Sequence, residues 1–106
     1  MVAFGCLALF SVNCQKKEAE APRDPLAQGR SFYMSHCIAC HNPNPTKDGS
    51  IGPAIWGSSK ELLRSKVLRS EYPNGYAPKR KTHIMPKLPL TEEDIEVVRV
   101  FLNAAT

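Results

Sequence analysis

The stretch Cys37-Ile38-Ala39-Cys40-His41 constrains this chain more than any other. Two thiols three residues apart, followed at once by an imidazole, form the attachment pattern for c-type haem. The spacing has a geometric reason. In a helical segment residues i and i+3 share a face, so both sulfurs can reach the two vinyl groups of one haem. His41 is then carried under the macrocycle, where a neutral ring nitrogen can bind the iron. Two other chemistries use Cys-x-x-Cys. A zinc site wants a second pair of Cys or His ligands at similar spacing, and beyond His41 the chain has no cysteine and one histidine, His83. A redox dithiol of thioredoxin type wants strand–helix alternation around it, and the sequence carries no convincing strand. One covalent haem c per chain is therefore the expected cofactor.

At 106 residues the chain is expected to form one domain. A domain this small builds a thin hydrophobic core, and a bound haem would give it an apolar slab to close around. Nine prolines and six glycines imply irregular backbone between short elements. The net charge of +4 is a mild, scattered basic excess. Without an Arg-rich helix or an aromatic-basic stripe, it gives no argument for nucleic acid, and no nucleic-acid partner is expected.

Residues 2–12 form an apolar run that ends at Asn13-Cys14. The run is too short to span a bilayer as a helix and fits the apolar region of an export signal. Phe10-Ser11-Val12-Asn13-Cys14 resembles the lipobox of bacterial lipoproteins, with Cys14 as the lipidated residue. Residues 1–14 are accordingly read as an export signal with a lipobox-like end, and Cys6 has no role in the mature protein. Residues 15–23 are polar and Ala/Pro-rich, a flexible tether. The folded domain is expected over 24–106.

Asp24 is a natural N-cap with Pro25 at the first helical position. Leu26, Gly29, Phe32 and Tyr33 follow at helical spacing up to Cys37, so a first helix would deliver the cysteine pair. Gly29 inside it marks a close approach by another helix. Residues 42–50 read as a loop, followed by the glycine-broken apolar run Ile51 to Gly57. A second helix is expected from Ser58 to Arg69, with Ser58 and Glu61 as a capping box and Leu62, Leu63 and Val67 as its apolar stripe. Prolines 73, 78, 86 and 89 forbid a long helix between Glu71 and Pro89. A last helix begins at Thr91, capped by Thr91 and Asp94 with Leu90 stapled on Ile95. Ile95, Val98, Phe101 and Leu102 line one of its faces.

With His41 on one side of the iron, the sixth position falls to Met85, His83, His36, Met34 or water. Met34 and His36 lie on the same short helix as the cysteines, too near the proximal side. Met85 sits in Ile84-Met85-Pro86, where a stiff loop could hold a thioether over the iron. A thioether raises the potential, whereas His83 in its place would lower it. Met85 is the expected ligand and His83, beside Lys81 and Thr82, is expected in solvent. Trp56 is expected as a core aromatic against the haem edge or a propionate. Lys79, Arg80, Lys81 and Lys87 flank the ligand loop, either as a solvated face or as a field that steers an acidic partner.

From about Leu26 to Leu102 the chain resembles the small class I, mono-haem cytochromes c of bacteria. The resemblance rests on Gly29 with Phe32 and Tyr33, on Cys37, Cys40 and His41, on Gly52-Pro53, Asn74-Gly75 and Met85-Pro86, and on Leu90-Thr91 with Phe101. It implies an all-α fold of about three helices wrapped around one haem. It also implies that Gly29 and the ring of Phe32 or Tyr33 meet Phe101 where the first and last helices cross. The Pro53 carbonyl should accept the ring N–H of His41 and fix its tautomer. The longer, basic stretch 78–83 before Met85 departs from the family pattern.

These readings describe a one-electron carrier and not an enzyme. Its haem iron would be ligated by His41 and Met85 and its site completed by Cys37, Cys40 and Pro53. It would act as a monomer between membrane or periplasmic redox partners, exported and anchored to a membrane by lipid at Cys14. The rival readings are a haem-based sensor or peroxidase-like protein with a labile Met85, and a haem subunit of a larger oxidase or dehydrogenase.

Overall fold

The computed structural model describes residues 24–104. The expected export signal, the tether, Cys6 and Cys14 lie outside the described residues. Helix α1 spans Pro25–His36, α2 spans Lys60–Leu63 and passes directly into a π-helical turn over Arg64–Leu68, and α3 spans Glu92–Leu102. Among the described residues there is no strand, and the fold is all-α as expected.

Local chemistry sets the helix ends. The Asp24 carboxylate accepts from the Leu26 N–H at 3.3 Å, ahead of Pro25. At α3 the capping box forms in both directions. The Asp94 N–H donates to the Thr91 hydroxyl at 3.1 Å, and the Thr91 N–H donates to the Asp94 carboxylate at 2.9 Å. The second helix differs from expectation. Its cap is Ser59, whose hydroxyl accepts from the Leu62 N–H at 3.1 Å. Ser58 is buried one residue earlier, where its hydroxyl donates to the Ile55 carbonyl and its own carbonyl accepts from Asn103. Tertiary bonds thus claim Ser58 and leave the cap to its neighbour.

The core is small: Tyr33, Leu63, Ile95, Val98 and Leu102. It forms mainly where α1 crosses α3. A Cβ on the buried Gly29 would stand 2.5 Å from the Val97 carbonyl oxygen and 2.8 Å from the Phe101 Cβ. Only glycine lets the backbones approach this closely. One turn on, the Tyr33 ring meets Phe101 with centroids 5.5 Å apart. Phe32 instead lies against His36 at 4.2 Å, so Tyr33 is the aromatic of the crossing. Trp56 meets Phe101 edge-on at 6.0 Å. It belongs to this aromatic cluster, and the Ile55–Gly57 backbone that carries it is tied to Pro45 and Leu102.

Candidate functional site

Helix α1 ends before the cysteine pair. The Cys37 N–H still bonds the Tyr33 carbonyl at 2.9 Å, but the pair itself forms a turn. The Cys37 carbonyl accepts from both Cys40, at 3.3 Å, and His41, at 3.0 Å. This one-turn curl keeps the i, i+3 relation without a regular helix. Both thiols are free and half-buried. Cys37 packs against the Tyr33 core, and burial pushes its thiol up to about 11.

The turn places His41 in a tight socket. The ring is 8% exposed, and its Nδ1 lies 2.9 Å from the Pro53 carbonyl oxygen. A carbonyl only accepts, so Nδ1 is the donor, which leaves Nε2 as the nitrogen whose lone pair a neutral ring could give to a metal. Gly52 forms the floor. A Cβ there would stand 2.5 Å from Cε1 and 2.7 Å from Nδ1 of the ring. The Gly52 N–H in turn donates to the Cys40 carbonyl at 2.8 Å. The Tyr33 hydroxyl donates to the Asn42 carbonyl at 2.6 Å, tying the turn to the core. Burial, with the nearby Cys37 charge, pushes the Tyr33 phenol up to about 12.

His41 and Cys40 open onto a cleft with about 870 Å³ of atom-free space, its open mouth included. Pro53 and Ile55 line one part of it, Leu62, Leu63 and Val67 another, and Met85 a third. Of the four side chains proposed for the sixth position, Met85 is the one on this cleft. His83 and His36 are exposed, and Met34 packs against the core. The walls are mostly apolar and carry the His41 imidazole and the Met85 thioether, with Lys66, Lys79 and Arg80 also on the lining.

The sequence reading missed Lys66. This residue lies on the cleft face, three residues after Leu63 and four after Leu62, which was the available signal. Its Nζ is buried without a hydrogen-bond partner among the described residues and lies 4.2 Å over the Tyr72 ring. A buried, unpaired ammonium facing an apolar cleft is costly unless an anion joins it. A haem brings two carboxylates, so the donor set and the orphaned cation both fit that group.

The basic run is partly engaged. The Lys79 ammonium donates to the Ala54 carbonyl at 2.8 Å and Arg80 to the Ile51 carbonyl at 3.2 Å. Arg80 also lies 3.7 Å from the Asp48 carboxylate. These two side chains join the loop that precedes Met85 to the loop that seats His41. Lys81 and Lys87 are exposed. Among the described residues no group of three or more His, Cys, Asp or Glu side chains converges on one point.

Comparison with known proteins places the chain. The family model for cytochrome c matches residues 26–106. A cytochrome c-553-like protein of Synechocystis sp. (strain ATCC 27184 / PCC 6803 / Kazusa) is 34% identical over 41 residues, covering 39% of this chain and 37% of that protein. The match thus spans little more than a third of that relative's length. The search of solved structures gives no significant match. The family match runs from the first helix through the last, and with it the chain belongs to the cytochrome c family, in its small class I form with covalently bound haem c.

Proposed function

We propose that the chain is a one-electron carrier, with haem attached through Cys37 and Cys40 and its iron held between His41 and Met85. The observation that carries this reading is that Met85, alone of the four candidate ligands, lines the cleft onto which His41 opens. Cys37 and Cys40 would hold the haem covalently, each through one thioether bond to a vinyl group. The bound haem supplies a one-electron iron couple. His41, oriented by Pro53, presents Nε2 as the ligand nitrogen. The soft thioether of Met85 favours the ferrous state and raises the potential. With His41 and Met85 both holding the iron, no open site would remain for a substrate, which fits a carrier rather than an enzyme. Lys66, buried without a hydrogen-bond partner among the described residues, would offset the charge of a propionate.

The partners in this reading are redox proteins with acidic docking faces. Lys81 and Lys87 are exposed around the ligand loop, and Ile51 and Ile84 are exposed where they line the cleft. Charges around an apolar centre speed encounter and set orientation. The protein acts as an exported monomer on the periplasmic side, held to a membrane by lipid at Cys14. The apolar run 2–12 and the polar stretch after Cys14 support this placement. Among the described residues no helix is long and apolar enough to cross a membrane.

An optical spectrum of the oxidised holoprotein tests the ligation. The weak far-red band of thioether-bound ferric iron is expected. High-spin features in its place would overturn the carrier reading in favour of a sensor or peroxidase-like protein with a labile Met85.

A further inference from the structure

Ser70 is the one non-glycine among the described residues with a left-handed backbone, at φ 57°. A side chain there is held against a steric penalty that glycine avoids. The contacts around Ser70 show what holds it. Its N–H donates to the Lys66 carbonyl at 3.0 Å, and the Glu71 N–H donates to the Ser65 carbonyl at 3.0 Å. These bonds close the π-helical turn and reverse the chain. The reversal brings the Ser70 hydroxyl to the Met85 carbonyl, to which it donates at 2.9 Å. Among the described residues it is the only side-chain hydrogen bond that reaches residues 82–88. The Leu88 N–H donates to the Val67 carbonyl at 2.8 Å, so the same turn holds the loop on both sides of Pro86.

The loop needs such help. No helix or strand runs between Glu71 and Leu90, and Pro86 beside Met85 has no N–H to give. Whatever fixes Met85 must therefore come from outside the loop. The carbonyl and the thioether share one residue, so holding the carbonyl fixes where the side chain starts.

We propose that Ser70 is the positioning residue for Met85: its strained backbone aims a hydroxyl at the Met85 carbonyl and keeps the thioether from leaving the iron. The inference rests on Met85 being the sixth ligand. The end of the π-helical turn thereby governs ligand lability without touching the iron.

The test uses the holoprotein with Ser70→Gly, Ser70→Ala and Met85→Ala. Ser70→Gly removes the hydroxyl and also relieves the backbone, so its thermal midpoint should stay near that of the wild type. The loss of one hydrogen bond should speed carbon monoxide binding to the reduced protein roughly five- to tenfold. The far-red band should weaken in step. Ser70→Ala should show the same change in ligand exchange with a lower thermal midpoint. A merely structural serine would move the midpoint and leave the ligand alone. If both serine variants bind carbon monoxide like the wild type while Met85→Ala binds it fast, this inference falls and the ligand assignment stands. If Met85→Ala also changes nothing, both fall together.

Discussion

The Nδ1 of His41 lies 2.9 Å from the Pro53 carbonyl oxygen, and the ring rests directly on Gly52. The dipeptide therefore acts on the imidazole twice. Pro53 sets which nitrogen is protonated, and Gly52 sets how near the backbone can lie. Gly52→Ala would put a methyl group 2.5 Å from Cε1. Neither the ring nor the backbone can yield without losing the Pro53 bond. A loss of about 1–3 kcal/mol of folding stability is expected, with a lower yield of holoprotein. Denaturant unfolding and haem-stained gels check this. Unchanged values in both would mean that the socket is loose.

The α1–α3 crossing makes an opposite demand on a helix. By intrinsic propensity, Gly29→Ala should stabilise α1 by about 1 kcal/mol. Packing reverses the sign, since the new methyl would meet the Val97 carbonyl and the Phe101 side chain. Overpacking costs about 1–3 kcal/mol, so a net loss of stability is expected from equilibrium unfolding. A gain would show that the helices can part cheaply.

Tyr33 predicts a pH dependence. Its phenol is raised from 10.0 to about 12 by burial. The group is neutral when protonated, and the fold holds it that way. Its contribution is complete below about pH 10 and is lost as pH climbs toward 12. Tyr33→Phe should remove that alkaline loss. It should also cost about 1 kcal/mol at neutral pH, because the Asn42 carbonyl loses its donor. Unfolding free energies of both proteins from pH 8 upward, in steps of about one unit, check the sign. A variant that still loses the same stability on that interval would assign the titration to another group.

The anchoring proposal depends on one thiol. Cys14→Ser in the exported precursor should release the protein from the membrane fraction, since a serine cannot carry the thioether-linked lipid. One acyl chain alone anchors only marginally, so a firmly bound wild type implies more than one. Equal partition of wild type and variant on cell fractionation would leave a soluble exported protein.

Much of this fold was legible because its signals are short-range. Asp24 with Pro25, and Thr91 with Asp94, each fix a helix end within three residues. Gly29 announced a crossing by being a glycine in a helix. The misses were tertiary. Ser58 and Ser59 are chemically identical, and only the Ile55 and Asn103 contacts decide which one caps. The edge-on contact of Trp56 with Phe101 was likewise not legible, since backbone bonds to Pro45 and no local pattern place that ring. Lys66 shares the Leu62, Leu63 and Val67 face, but only the tertiary fold buries its ammonium over the Tyr72 ring. Ser70 left no trace in the sequence, since a positive φ at a serine has no pattern of its own.

Met85 carries the functional conclusion, and two variants separate it from its rival. His83 is exposed and does not line the cleft, whereas Met85 does. Met85→Ala should leave water on the iron and remove the thioether that favours the ferrous state. The potential should fall by about 100 mV, equivalent to about 2 kcal/mol for one electron. Carbon monoxide should then bind the reduced protein readily, and electron exchange with partners should slow. His83→Ala should leave the spectrum, the potential and carbon monoxide binding unchanged, because an exposed imidazole outside the cleft cannot reach the iron without rebuilding the loop. That loop is tied down by Ser70 and Val67 on one side and by Lys79 and Arg80 on the other. Potentiometry and carbon monoxide titration on the three proteins decide the matter. Loss of the low-spin spectrum in His83→Ala, with Met85→Ala silent, would show bis-histidine ligation and a low-potential role.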